Sequence, residues 1–538
     1  MYNSCSGYVM SSVPAVASSL SAFLLSPEYA CEVNFGSCIN HQWYTTETTQ
    51  QYIDKIMLHK PSYLKKDNFL DYIYHEINTA SAPRKTLSMI QFTDLHLDLE
   101  YVVGASKVCK NVMCCRAEDG IPEDPANAAG PYGSMALCDI PPIVLDLMGD
   151  KINELAPDVL LWTGDVVPHD QWQYSLEHTQ KYSKYLADFM QTKLSAWSTY
   201  PLEGNHDFGV TINAQDFTET DPMITYNLEL WKVWLDEAAQ KQFAVNGFYS
   251  QKLKLSDGTV MDKVRIIAVN TEACYNANFF LMKLRDDPGD QLKWLEQTLY
   301  KMEANGETGI LLGHVPPGSN SCLEQWAKRY QALMDRYQNV IRLQMFGHVH
   351  KEIHNTIRGV ESGKPIGVNF WTGAVTPYSD LPAYPCFRRF IVDAETMVPI
   401  KVETWAFDPT QENPVFEFHH EMTEYYNMPD LSPSSFDALA DRMLEDEALA
   451  LKYIQTMNQN SPFQHAPVCD EKCRLSVYCQ TTNSVYWDQK RCEGYTDKQW
   501  KADPMNALTE SLMDPWFSHH KLPNAKNHFM TTPVYNQI

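Results

Sequence analysis

Five short segments occur in a fixed order along the chain: Thr93-Asp94-Leu95-His96, Thr163-Gly164-Asp165, Gly204-Asn205-His206-Asp207, Gly313-His314 and Gly347-His348-Val349-His350. They carry seven residues of metal-ligating type: Asp94, His96, Asp165, Asn205, His314, His348 and His350. If these act together, the fold must bring five distant loops to one point. Two divalent ions held about 3.5–4 Å apart need a carboxylate that reaches both, with imidazole, amide or carboxylate donors on each side. Asp165 is the natural bridge. The expected partition puts Asp94, His96 and His350 with it on one ion, and Asn205, His314 and His348 with it on the other. The mixed nitrogen and oxygen set suits two Zn2+, and iron, manganese or cobalt could enter the same set. Such a pair activates water and polarises a phosphoryl oxygen, which implies hydrolysis of a phosphate ester.

The local contexts predict an α/β fold. Leu87 to Phe92 reads as a buried strand running into Asp94 and His96, and Val159 to Trp162 does the same before Asp165. Ile310 to Leu312 precedes His314, and Leu343 to Phe346 precedes His348. The donors thus sit where strands end, and in open α/β sheets binding sites form beyond the carboxyl ends of strands. Gly164, Gly204, Gly313 and Gly347 each stand just before a donor, where a crowded site needs tight turns or close backbone approach. Leu292, Leu295, Leu299 and Met302 repeat at helical spacing, and Gly306 closes that helix. Single histidines such as His41, His59 and His75 read as surface or core residues, and His354, His419 and His420 as structural.

The ordered motifs resemble those of the calcineurin-like metallophosphoesterases. Trp162-Thr163-Gly164-Asp165 followed by Pro168-His169-Asp170 and Trp172, together with Gly313-His314-Val315-Pro316-Pro317-Gly318, is similar to the acid sphingomyelinase branch, from about Cys5 to about Cys492. The resemblance implies a sandwich of two β-sheets flanked by helices, with a small helical, disulfide-stapled C-terminal region and a partial, helical saposin-like N-terminus. It also implies the pairs Cys109 with Cys114, Cys115 with Cys138, Cys274 with Cys322, Cys469 with Cys473 and Cys479 with Cys492, leaving Cys386 alone. Fourteen cysteines fit an oxidising compartment. A separate zinc knuckle around Cys109 lacks a second nearby ligand pair.

Cys5, Cys31 and Cys38, with Leu25-Ser26-Pro27-Glu28 and Trp43, resemble the second half of a saposin-type lipid-binding module. The expected organisation is a partial module at 1–45, a polar connector at 46–86 with a helical patch from Tyr52 to Met57, and a catalytic domain at 87–408. A helical disulfide-containing region follows at 409–500, with Phe436 to Met457 as its longest helix, then a tail at 501–538. Residues 1 to 27 carry no charged side chain, hence no basic leader region, which reads as truncation of a secreted or lysosomal product. The absence of any Asn-x-Ser/Thr site cuts against a lysosomal glycoprotein. No apolar run approaches the roughly 18 residues of a membrane span. An excess of 67 acidic over 43 basic side chains disfavours nucleic acid as a partner. A monomer is expected.

The resemblance also assigns proton transfer. Water activated by the ions would attack phosphorus, and an acid would protonate the departing alkoxide. That acid corresponds to His206, with His169 as a second histidine near the leaving group; the alternative is that both only orient the ligands. Histidine titrates between pH 5 and 8 and would be protonated in an acidic lumen. The resemblance favours a sphingolipid partner at a membrane or micelle surface, with sphingomyelin cleaved to ceramide and phosphocholine. Relatives lacking the saposin module act on nucleotides with the same ligands, so nucleotide phosphodiesters are the alternative. A non-catalytic lipid-binding or interaction protein would show a lost ligand or a lost His206, and none is lost.

Overall fold

In the computed structural model, the described residues are 47–486 without 210–212, 283–285, 380 and 464–467, together with 10, 12–13 and 15–18. The saposin-like cysteines, Cys492 and the expected tail at 501–538 lie outside the described residues.

Among the described residues, twelve strands form two six-stranded sheets. The first six are β1 (Thr86–Phe92), β2 (Val159–Thr163), β3 (Thr199–Leu202), β4 (Tyr249–Lys254), β5 (Val260–Ala268) and β6 (Thr308–Leu312). The rest are β7 (Ile341–Phe346), β8 (Ile353–Arg358), β9 (Pro365–Trp371), β10 (Cys386–Asp393), β11 (Pro399–Ala406) and β12 (Glu417–Glu421). One sheet runs β12-β11-β10-β1-β2-β3 and the other β4-β5-β6-β7-β9-β8. Within them β1, β2 and β3 are parallel, as are β5, β6, β7 and β9, and the remaining neighbours are antiparallel. The four strands expected from sequence are β1, β2, β6 and β7. Their residues from Met89 to Phe92, Val159 to Thr163 and Ile310 to Leu312 are buried throughout, as the largely apolar strands of a sheet covered on both faces should be.

β3 carries no such signal. It is four residues long and contains Pro201, and it survives because it is the sheet's edge, where a missing N–H leaves no ladder bond unmade. The helix Gln291–Asn305 buries Leu292, Leu295, Leu299 and Met302 and ends at Gly306 with φ of 63°, as the periodicity predicts. The expected single helix from Phe436 to Met457 is instead two, Pro433–Glu445 and Glu447–Thr456. Asp446 between them is extended, and its carboxylate accepts hydrogen bonds from the Ala448 and Leu449 N–H groups, capping the second helix. The expected connector holds the helices Thr49–Leu58 and Phe69–Asn78, whose buried residues Tyr52, Ile56, Leu70 and Tyr74 join the main core. β12 lies beyond residue 408 and pairs with β11.

The disulfides Cys109–Cys114, Cys115–Cys138, Cys274–Cys322 and Cys469–Cys473 match the pairing the resemblance implies. Cys479 is also disulfide-bonded, and Cys386 is a buried free thiol. Two bonds staple the long excursion between β1 and the helix Pro142–Leu155. Buried Arg116 anchors it from within, donating to Asp98 at 2.9 Å and to Asp170 at 2.7 Å.

Polar side chains lock the two sheets together. Gln91 on β1 donates to the Phe346 carbonyl at the end of β7 at 3.0 Å and accepts from Thr372, just past β9, at 2.6 Å. Glu352, on the loop after β7, is ion-paired with Arg388 on β10. It accepts from Thr404 on β11 at 2.8 Å and lies 2.9 Å from His420 on β12. Burial opposes the charge of Glu352, but Arg388 and His420 hold its carboxyl well below the usual range. Glu352→Gln strands a buried guanidinium and is expected to cost about 3–5 kcal/mol in urea unfolding near neutral pH. A depressed carboxyl stabilises the fold above its unfolded pKa. The gap between wild type and variant should therefore narrow as pH falls below the unfolded value of about 4.3.

Candidate metal centre

Each of the five motifs begins where a strand ends: β1, β2, β3, β6 and β7 deliver Asp94, Asp165, Asn205, His314 and His348 to one buried point. The turns that do this are strained. Asp94, His96, Asp165, His348 and His350 have φ of 50°, 43°, 58°, 71° and 57°, in the left-handed region that costs a non-glycine residue about 1–3 kcal/mol. Long-range backbone bonds enforce it: Asp94 N–H donates to the Gly164 carbonyl at 3.0 Å, and Leu95 N–H to the Asp165 carbonyl at 2.8 Å. The glycines matter mainly for close approach. A Cβ on Gly204 would lie 2.1 Å from Asp165 Oδ1, and one on Gly347 2.1 Å from Thr93 Oγ1.

The donor atoms converge in two sets. His96 Nε2 and His350 Nε2 are 3.2 Å apart, and Asp94 Oδ1 lies 3.9 Å from the first and 3.4 Å from the second. On the other side, Asn205 Oδ1 lies 3.1 Å from His314 Nε2 and 2.8 Å from His348 Nδ1. Asp165 Oδ2 faces both sets, 3.5 Å from His96 Nε2 and 3.0 Å from His314 Nε2.

Backbone carbonyls decide which ring atom points inward. Val167 accepts from His96 Nδ1 at 2.7 Å, Thr163 from His314 Nδ1 at 2.7 Å and Tyr378 from His350 Nδ1 at 3.0 Å. A carbonyl only accepts, so each Nδ1 carries the hydrogen and Nε2 is the position left to face the site, with a lone pair on the neutral ring. With the rings neutral, two Nε2 lone pairs face each other across 3.2 Å, and the His314 Nε2 lone pair faces two oxygen acceptors. Lone pairs so placed repel unless positive charge lies between them.

The electrostatics agree. Despite burial, His314 and His350 hold Asp94 well below the usual carboxylate range, and Asp165 and Asp94 push His314 up to about 10. The pocket attracts cations strongly enough to trap a proton on an imidazole. Donor chemistry and lone-pair direction together fit a pair of divalent metal ions.

His169 and His206 stand beside the first set, with ring centroids 3.9 and 4.9 Å from that of His96. Asp139 and Tyr174 had no sequence signal, and Asp207 closes the third motif without a role assigned from sequence. Asp139 accepts from the His169 backbone N–H at 2.7 Å and faces its Nδ1 at 2.9 Å, while Thr376 donates to the same carboxylate at 2.9 Å and Tyr378 stacks on the imidazole at 3.9 Å. Burial pushes Asp139 up to about 8. Asp207 accepts from the N–H groups of Asp165, Val166 and Gly204, lashing the β2 and β3 loops together. Tyr174 meets His206 Nδ1 at 2.8 Å. His206 differs from the simple acid-lumen expectation: burial, with His169, His348 and His350, outweighs Asp165 and pushes it down to about 3. His354 packs on Phe436 and Tyr453, away from the donor sets.

The profile of the calcineurin-like phosphoesterases matches residues 89–352. Sphingomyelin phosphodiesterase 1 of Caenorhabditis elegans is 29% identical over 415 residues, covering 73% of this chain and 70% of that protein. The Homo sapiens sphingomyelin phosphodiesterase is 28% identical over 404 residues, and the match spans 62% of its length and 72% of this chain. Acid sphingomyelinase-like phosphodiesterase 3b of Homo sapiens is 31% identical over 414 residues, covering 72% of this chain and 85% of that protein.

Because an added methyl at Gly204 would collide with Asp165 Oδ1, Gly204→Ala is expected to weaken metal affinity about 10–100-fold. Elemental analysis of the purified variant, with circular dichroism as a fold check, measures it.

Proposed function

This chain belongs to the acid sphingomyelinase branch of the calcineurin-like phosphoesterases, and from that premise we propose that it is a zinc-dependent phosphodiesterase releasing phosphocholine from sphingomyelin. The observation that carries the reading is Asp165 Oδ2 facing both donor sets, the arrangement a bridging carboxylate requires. Sphingomyelin is favoured as substrate because the worm and human relatives are sphingomyelin phosphodiesterases. Asp94, His96 and His350 would hold one ion, Asn205, His314 and His348 the other, with Asp165 between. A pair of ions so held supplies Lewis acidity toward the phosphoryl oxygens and lowers the pKa of water.

The chain's own residues do the rest. Asp94 and Asp165 are kept ionised by the imidazoles around them. His206 Nε2 gives its proton to the departing ceramide oxygen as the bond from phosphorus to that oxygen breaks. Burial keeps the free imidazole neutral; the anionic phosphodiester, once seated, favours the protonated ring by placing negative charge beside it. His169, braced by Asp139, flanks the same oxygen. The net acidic charge disfavours nucleic acid, and no helix among the described residues is long and apolar enough to cross a membrane. The disulfides support a secreted or lysosomal location, where the protein acts as a monomer.

The test is phosphocholine release from sphingomyelin in mixed micelles with added zinc, at about pH 5 where histidine chemistry is accessible. A nucleotide diester runs in parallel. Release is expected, lost on chelation, and lowered about 10²–10⁴-fold in His206→Ala. Cleavage of the nucleotide alone would reassign the substrate, and no cleavage of either would sink the enzymatic reading.

A further inference from the structure

Tyr174 belongs to none of the five motifs. It follows the short 3-10 turn Gln171–Gln173 and is buried against the site. Its hydroxyl donates to the Pro168 carbonyl at 2.7 Å and meets His206 Nδ1 at 2.8 Å. Since the carbonyl can only accept, the single hydroxyl hydrogen is committed to Pro168, and what faces the imidazole is an oxygen lone pair. His206 Nδ1 must therefore carry a hydrogen. The neutral ring then keeps its lone pair on Nε2, and the protonated ring carries its second hydrogen there. In both states the exchangeable position is the one away from Tyr174, on the ring that sits 4.9 Å from the imidazoles of His96 and His169.

We propose that Tyr174 is the positioning residue for proton transfer to the leaving group, fixing His206 as its Nδ1–H tautomer and aiming Nε2 at the departing oxygen. The proposal rests on the reading of His206 as general acid. In that step a water oxygen bonds to phosphorus, the bond from phosphorus to the alkoxide oxygen breaks, and the Nε2 proton passes to that oxygen. The ring is left neutral with its hydrogen on Nδ1, the tautomer whose N–H the Tyr174 oxygen accepts. The attacking water keeps one hydrogen on the new phosphate and releases the other to solvent, from which His206 is reprotonated. Without the hydroxyl the imidazole can rotate and carry Nε2 away from the departing oxygen, and the neutral ring left after transfer is no longer held with its hydrogen on Nδ1.

Tyr174→Phe removes only the hydroxyl and keeps the ring that stacks near His178 at 5.7 Å. The experiment compares kcat of the metal-loaded wild type and variant on two phosphodiesters. One has an alkyl leaving group, which needs a proton to depart, and the other a p-nitrophenyl group, which leaves as a stable phenolate. The expected result is a fall of about tenfold or more on the alkyl ester and less than about twofold on the p-nitrophenyl ester. Tyr174→Phe should add no further loss in a His206→Ala background, because both changes remove the same step. Equal losses on the two esters, no loss on either, or a loss that adds to that of His206→Ala would each overturn the proposal. A wild type that cleaves neither ester would instead overturn the phosphodiesterase reading beneath it.

Discussion

The structure turns on one carboxylate. Asp165 ends β2, and each of its polar atoms holds a different part of the site. Oδ2 faces His96 and His314, one from each donor set, and Oδ1 accepts the His206 backbone N–H at 2.8 Å. Its carbonyl receives the Leu95 and His96 N–H groups, and its own N–H goes to Asp207 at 2.8 Å. Loops from β1, β2, β3 and β6 therefore share one register. A shift of this residue would move both donor sets and His206 together. That interdependence accounts for the Cβ that Gly204 cannot accept and for the left-handed turns on either side: the surrounding hydrogen bonds leave no relaxed alternative.

Four hydrogen bonds around the site set histidine tautomers. Three backbone carbonyls, from Val167, Thr163 and Tyr378, take the Nδ1 hydrogens of His96, His314 and His350, and Tyr174 does the same for His206. Imidazole offers two nearly equivalent nitrogens, so composition alone leaves each ring's direction undetermined. The partners sit at the end of β2 and on the segments after β2 and β9, so the sandwich itself sets which nitrogen faces the centre. The result is a cluster of inward lone pairs and buried carboxylates that is electrostatically unsatisfied without cations. The carboxylates of Asp165 and Asp94 push His314 up, and the imidazoles of His314 and His350 in turn hold Asp94 down.

Behind the centre, buried charge again joins distant segments. Glu352, two residues beyond His350, reaches β10, β11 and β12 through Arg388, Thr404 and His420, so the last donor loop is tied to the opposite sheet. Arg116 plays a similar part for the disulfide-rich excursion, holding Asp98 and Asp170 at once. Asp170 lies next to His169, so that excursion is coupled to the edge of the site.

Sequence alone determined which residue types could meet and roughly where. Apolar runs before Asp94, Asp165, His314 and His348 marked four strand ends, helical spacing marked Gln291–Asn305, and the resemblance implied four of the disulfides the structure contains. Those features are local or carried by ordered motifs, so they are legible along one dimension. β3 was not, because a short edge strand with a proline has no periodicity to read. The break at Asp446 was not either, because a cap competes with helix continuation only through geometry. Tertiary structure alone decided which nitrogen of each histidine turns inward, that Asp139 braces His169 and that Tyr174 faces His206. These are through-space choices between nearly degenerate local states, settled by groups far away in the chain or unmarked within it.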